Sequence, residues 1–188
     1  MKKRNIFIFI IIVIVLIILS LFLLNKNDIK EENNELTDAV KIKEEYESLN
    51  KSYVKVSLKE NNRFIYVSNK KLSNILDNGA ALIFIGSNTD NKARNIINIL
   101  DYVNANAIYY IDKNNLTDKV KQKLSNYNKD FINNSIFIGV VNGDIIDYYI
   151  GEKEELDNNE KSKLKLKFDE INQKVSGDSC DIEESSGC

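Results

Sequence analysis

The sequence predicts an α/β protein built around a central mixed sheet, and three stretches of the chain carry this prediction. Residues 80–85 form an unbroken apolar run that is too short for a helix, which is typical of a strand buried on both faces. After a polar turn, apolar side chains recur on one helical face, at Ala93, Ile96, Ile97, Leu100 and Val103. Further along, Asn142 and Gly143 lie between two apolar runs, which indicates a β-hairpin with a type I′ turn.

Upstream of the buried strand, the patterns are shorter and less regular. Residues 53–58 alternate apolar and polar side chains, and residues 63–67 do so in part, which predicts an edge hairpin or two short strands. Ser68 or Asn69 can cap a short helix that follows, and Gly79 ends it.

Downstream of the strand–turn–helix unit, residues 107–111 predict a second buried strand, which makes a parallel crossover the expected arrangement. Thr117 can cap the next helix. Residues 136–141 and 144–150 are the predicted strands of the hairpin. A last helix is predicted from apolar side chains at helical spacing, which are Leu164, Phe168, Ile171 and Val175.

The polar turn at residues 86–89 is the predicted site. It joins a buried strand to a helix, so it lies at the carboxyl end of a parallel sheet, where open α/β folds place their chemistry. Thr89 or Asp90 can accept hydrogen bonds from the free amides of the first helical turn.

This segment resembles the active-site segment of thioredoxin-like proteins, in which a buried strand runs into a Cys-x-x-Cys pair at the start of a helix. Membrane-anchored bacterial members, including those of the bacteriocin-accessory type, read roughly Gly-x-Pro-x-Cys-Pro-Trp-Cys-Arg-Asn here. Three positions match this pattern, namely Gly86, Arg94 and Asn95. Asp90 and Ala93 stand at the two cysteine positions, and Asn88 stands at the first proline position.

The departures from the family pattern remove its chemistry. Thiol–disulfide exchange needs a thiolate that attacks and a second thiol that resolves the mixed disulfide, and Asp90 and Ala93 supply neither. Asp90 is therefore interpreted as a helix cap rather than a catalytic acid. The family's cis-proline position, counted back from Gly143, falls on Ser135. Because a cis peptide bond before a residue other than proline costs about 2.5–4 kcal/mol, the bond between Asn134 and Ser135 is predicted to be trans.

The resemblance implies a groove in which the strand–helix turn faces the loop before the hairpin. Its predicted lining residues are Gly86, Ser87, Asn88, Thr89, Asp90, Asn134 and Ser135. Family members often bury an acidic residue beneath the cysteines, and residues 82–85 offer none. The expected occupant is a polypeptide or a membrane partner, with no cofactor and no metal.

The order of elements extends the resemblance to residues 53–176, which are predicted to form a thioredoxin-like three-layer sandwich. Ahead of this domain, basic residues 1–4 precede an apolar stretch at residues 5–24. A helix of that length spans about 30 Å, so it predicts a single transmembrane anchor with a cytoplasmic amino terminus and an extracytoplasmic domain at the cell membrane. A cleaved signal peptide is the alternative, although no small-x-small cleavage site follows. Charged residues 25–52 are predicted to form a stalk, with a partner-docking helix as the alternative.

The tail, residues 177–188, carries both cysteines of the chain, Cys180 and Cys188. Three uses remain open: a local disulfide, a redox-active pair, and metal capture by two thiolates with nearby carboxylates. Acidic neighbours disfavour the thiolate, and no histidine or third cysteine completes a tetrahedral metal site.

Composition narrows the function classes. The chain has no histidine, which excludes Ser-His and Cys-His catalysis, and its basic residues are scattered, so no nucleic acid is expected. The sequence therefore predicts an anchored binding or accessory module whose family site is redox-inactive. The alternatives are a thiol–disulfide oxidoreductase that acts through the tail pair and an accessory factor for a secreted peptide.

Overall fold

The computed structural model describes residues 37–177, which contain one five-stranded sheet and helices on both of its faces. The strands are β1 Phe64–Tyr66, β2 Ala81–Gly86, β3 Ile108–Asp112, β4 Ile136–Val141 and β5 Asp144–Ile150. The helices are α1 at residues 37–47, α2 Asn69–Asn78, α3 Asn91–Leu100, α4 Asp118–Tyr127 and α5 Asn158–Ser176. Two short 3₁₀ helices, Lys113–Asn115 and Lys129–Ile132, follow β3 and α4.

The sheet is mixed, as the sequence predicts, and its strand order is β1-β3-β2-β4-β5. Strands β1, β3 and β2 run parallel, whereas β4 is antiparallel to β2 and β5 is antiparallel to β4. Strand β2 is central and buried along its whole length, and its Ile83 pairs with Tyr109 on one side and Ile138 on the other. The continuous apolar run of this strand follows from its burial on both faces.

Two hydrophobic cores divide the helices between the faces of the sheet. The first core lies under α1, α3 and α5 and includes Tyr46, Phe84 and Phe168. The second lies under α2 and α4 and includes Leu72 and Ile83. Successive residues of β2 alternate between the two cores because side chains of a strand point to opposite faces.

The hairpin between β4 and β5 has the type I′ geometry that Asn142 and Gly143 predict, with φ values of 54° and 86°. The Gly143 N–H donates to the carbonyl of Gly79 at 2.8 Å. A Cβ on Gly143 would lie 2.5 Å from the carbonyl oxygen of Asp77. Position 143 therefore requires glycine both for its positive φ and for the close approach of the hairpin to the end of α2.

The stretch upstream of β2 differs from the sequence prediction. Residues 53–58 form no strand, and no edge hairpin is present there. Strand β1 pairs in parallel with β3 instead, and this ladder extends to hydrogen bonds from Ile108 N–H to Arg63 and from Val67 N–H to Tyr110. Burial of Val56 and Leu58 against the first core explains the alternation that resembled a strand.

The predicted stalk at residues 25–52 also needs correction, because its second half belongs to the folded unit, which begins at Asp38. Three side chains of α1 are buried in or beside the first core: Ala39, Ile42 and Tyr46. Val40, on the same helix, is 38% exposed. The charged residues between these positions obscured the apolar face of α1.

Two predicted segments lie outside the described residues: the anchor at residues 5–24 and the tail that carries Cys180 and Cys188. Within residues 37–177, no helix combines the length and apolar character needed to cross a bilayer.

Candidate functional site

The topology places a crevice between the carboxyl ends of β2 and β3. The chain leaves β2 into α3, which packs on the first core, and leaves β3 toward α4, which packs on the second core. Adjacent parallel strands whose following helices lie on opposite faces form a topological switch point, where α/β folds bind their ligands. The predicted turn at residues 86–89 lies on one wall of this crevice.

Side chains bridge the crevice from one wall to the other. The ammonium of Lys113, after β3, lies 3.0 Å from Oδ2 of Asp90, after β2. Beside it, Asn114 Nδ2 donates to Ser87 Oγ at 3.3 Å, and Ser87 Oγ lies 3.0 Å from Thr89 Oγ1. The polar groups of the two loops thus satisfy one another.

Asp90 is the N-cap of α3, as the sequence predicts, and its carboxylate has three donors. Oδ1 accepts from the Lys92 N–H at 2.9 Å, while Oδ2 accepts from Ser135 Oγ at 2.6 Å and from Lys113. Burial raises the pKa of Asp90, but the hydrogen bonds from Ser135, Lys113 and Lys92 outweigh burial and leave the pKa below its ordinary value. Asp90 is therefore a fixed carboxylate near neutral pH, poorly suited to either donating or accepting a proton.

Ser135 lies across the site from the strand–helix turn, as the resemblance implies. It is fully buried, and its carbonyl accepts from the Gly151 N–H at 2.8 Å. The Asn134–Ser135 bond is trans, as predicted, since no described peptide bond is cis. The Ser135 hydroxyl donates to Asp90, so a serine–carboxylate hydrogen bond joins the loop before β4 to the turn after β2.

The other predicted groove residues are held by local contacts. Asn88 Nδ2 donates to the Glu45 carbonyl at 3.1 Å, and Asn134 Nδ2 donates to the Asp130 carbonyl at 3.0 Å. Within the predicted groove set, only Thr89 is exposed. Thr89 is consequently the groove residue most accessible to a ligand.

Gly86 and Ala93 have a packing role. Ala93, which the resemblance aligns with the second cysteine of thioredoxin-like proteins, is completely buried at the start of α3. A Cβ on Gly86 would lie 2.6 Å from Cζ of Phe84 and 3.0 Å from Cβ of Ala93. The absence of a side chain at position 86 lets α3 lie close to β2.

Arg94 has a role that sequence reasoning missed. It is completely buried, and its guanidinium donates to three main-chain carbonyls: Val54 at 2.7 Å, Tyr46 at 2.7 Å and Asn88 at 3.2 Å. It also donates to Asn50 Oδ1 at 3.1 Å. Arg94 thus fastens the segment after α1 onto the amino end of α3. The family resemblance identified the residue, but no sequence signal indicated these partners.

A second polar region, also missed, lies beside the crevice at the carboxyl ends of β1 and β3. Glu45 of α1 accepts from Tyr66 Oη at 2.5 Å and from Tyr110 Oη at 3.0 Å. Burial is the main cause that raises the pKa of both tyrosines, so both remain protonated donors. Glu45 and Tyr66 border an open depression of about 500 Å³, whose other lining residues are Val67, Ser68, Asn69, Ile111, Asp112 and Asn115.

Replacing Asp90 by asparagine tests the bridged crevice, because asparagine still caps a helix but carries no charge. The lowered pKa means that the Asp90 carboxylate contributes stability that is full above the unfolded pKa of about 3.9 and is lost as the pH falls through the folded value. We expect Asp90→Asn to reduce the free energy of unfolding at pH 7 by about 1–3 kcal/mol. The reduction should shrink below about pH 4.

Urea unfolding of both proteins at pH 7 and pH 3 measures this difference. Asp118→Asn is the matched control, since Asp118 is an exposed carboxylate in the first turn of α4. If Asp90→Asn lowered the free energy of unfolding by the same amount at both pH values, the result would contradict a stabilising role for the Asp90 charge.

Residues 37–177 hold no group of three or more carboxylate, histidine or cysteine side chains that could bind a metal ion. Both cysteines lie outside that range.

Comparison of the whole chain with protein-family models, curated proteins and solved structures finds no match to any of them.

Proposed function

We propose that this protein is a thioredoxin-like binding module whose former redox site has become a closed polar cluster and whose exposed rim contacts a polypeptide. The single observation that carries the proposal is the convergence of Lys113 and Ser135 on one oxygen of Asp90, at the switch point of the sheet. The strand order and the hairpin followed by a closing helix support the thioredoxin-like assignment.

The cluster argues against catalysis at this position. A nucleophile must be exposed and activated by a base, but Ser135 is completely buried and its hydroxyl is bound to Asp90. The lowered pKa of Asp90 makes this carboxylate a weak base. A site that is internally satisfied in this way contributes shape and polarity rather than proton or electron transfer.

A polypeptide fits the chemistry of the rim. Thr89 is exposed at the mouth of the crevice, and the neighbouring depression presents hydroxyl, amide and carboxylate groups, including Ser68, Asn69 and Asn115. Such groups can hydrogen-bond the N–H and C=O groups of a peptide main chain. In the full proposal, residues 5–24 anchor the module in a membrane and the domain meets its polypeptide on the extracytoplasmic side.

Peptide selection tests the proposal. The full-length chain in lipid nanodiscs is used to select peptides from a random library, with benzoylphenylalanine placed at position 89 for photocrosslinking. We expect a selected peptide to crosslink at position 89 but not at Leu166, an exposed position on α5. Thr89→Trp should weaken its binding about tenfold or more by filling the mouth of the crevice, a loss of about 1.4 kcal/mol.

Peptides that bind with equal affinity to the native chain and to Thr89→Trp would contradict the proposed surface. A failure to select any peptide that crosslinks at position 89 would contradict it as well.

A further inference from the structure

The outer edge of β5 is the largest open hydrogen-bonding edge of the described sheet. Strand β5 comprises seven residues and pairs only with β4. None of the described residues forms a strand on its other side. A strand edge presents a row of N–H and C=O groups that another strand can pair with.

The opposite edge of the sheet is protected. Strand β1 has only three residues, and α1 lies beside it. The N–H of Tyr66 donates to Oδ2 of Asp38 at 3.1 Å, so a side chain of α1 occupies the place of a neighbouring strand. Short length and side-chain capping are two ways in which proteins prevent edge pairing.

The composition of β5 favours pairing. Residues 144–150 contain no proline, glycine or lysine, which commonly interrupt or block an added strand, and their charged side chains are Asp144 and Asp147. Ile146 is 40% exposed and Tyr148 is 44% exposed. A β-bulge opposite Gly139 and Val140 leaves Ile146 without a partner on β4.

We propose that β5 pairs antiparallel with β5 of a second copy of this chain, about a two-fold axis at Asp147. In this register Ile146 of each copy lies opposite Tyr148 of the other. The two exposed apolar side chains then form a β-branched–aromatic cross-strand pair twice, which is the self-complementarity that a two-fold interface requires. This inference is independent of the function proposed for the crevice.

The charges around the axis are complementary in this arrangement. The two Asp147 carboxylates approach each other, but each is already bound to Lys167 at 2.6 Å and Lys174 at 2.5 Å on α5. Four ammonium groups therefore surround two carboxylates at the axis. The Tyr148 N–H donates to Oδ1 of Asp147 at 2.8 Å, a bond that a carbonyl of the second strand can replace.

Disulfide crosslinking tests the register. Two differently tagged full-length proteins, Ile146→Cys and Tyr148→Cys, are prepared in a Cys180→Ser/Cys188→Ser background and mixed in detergent. We expect oxidation to link the two tags to each other far more than it links either protein to itself. Leu166→Cys, exposed on α5, is the matched control and should remain unlinked.

Sedimentation of the native full-length chain in detergent tests the assembly itself. We expect a dimer, and we expect Ile146→Lys to shift it to a monomer while Leu166→Lys leaves it dimeric. A native chain that stays monomeric overturns the proposal, even if the amides of β5 are protected from hydrogen exchange, because a segment of the same chain then covers the edge. A dimer that survives Ile146→Lys without the mixed crosslink overturns it too, because another surface then joins the copies.

Discussion

Replacing Arg94 by methionine should lower the free energy of unfolding by about 3 kcal/mol or more. Methionine fills much of the volume of arginine but donates no hydrogen bonds, so the carbonyls of Tyr46 and Val54 lose their shared donor in a buried region. Each buried acceptor left without a partner costs about 1–3 kcal/mol. Local stability should fall most in residues 46–54, because their attachment to α3 depends on this guanidinium.

Urea unfolding followed by circular dichroism measures the effect on the full-length chain in detergent. Arg63→Met is the matched control, because Arg63 is exposed and such substitutions usually change stability by no more than about 0.5 kcal/mol. Hydrogen exchange should also become faster at residues 46–54 in Arg94→Met. Equal stability of the two variants would show that Arg94 does not fasten this segment.

The double substitution Asp90→Cys/Ala93→Cys, in a background without the tail cysteines, should give the crevice a thiol–disulfide exchange activity. A thiol at position 90 would lie at the N-cap of α3, where free amides and the helix dipole lower a cysteine pKa. The buried position 93 lies three residues further along the same helix start and supplies the resolving thiol. This outcome tests whether the crevice has the geometry of a thioredoxin-like active site.

Dithiothreitol-driven reduction of insulin measures the gain. The matched control is Ser68→Cys/Lys71→Cys, which puts the same spacing at the N-cap and third position of α2. We expect this control to reduce insulin much more slowly, since the start of α2 has no facing loop like the one that carries Ser135. Equal rates for the two double variants would contradict a specific site at the switch point.

The sequence could predict the central elements because their signals are local. The buried run of β2, the amphipathic face of α3 and the turn at Asn142 each depend on neighbouring residues alone. The helix cap at Asp90 was predictable for the same reason, since capping links a side chain to an amide two residues away.

The partners of the site were not predictable, because they lie far along the chain. Lys113 and Ser135 are separated from Asp90 by 23 and 45 positions, and the carbonyls bound by Arg94 carry no side-chain signature at all. The packing of helix α1 on the core was missed for another reason. Its buried face includes the small Ala39 and is interleaved with charged residues, so its apolar period is weak.

The insulin-reduction rate of the native full-length chain shows whether the crevice makes contacts or transfers electrons. We expect a rate equal to that of dithiothreitol alone, unchanged by Cys180→Ser. A rate above this background that disappeared in Cys180→Ser would contradict a purely binding role and assign oxidoreductase chemistry to the tail. A rate above background that depended on Asp90 would contradict the inert cluster itself.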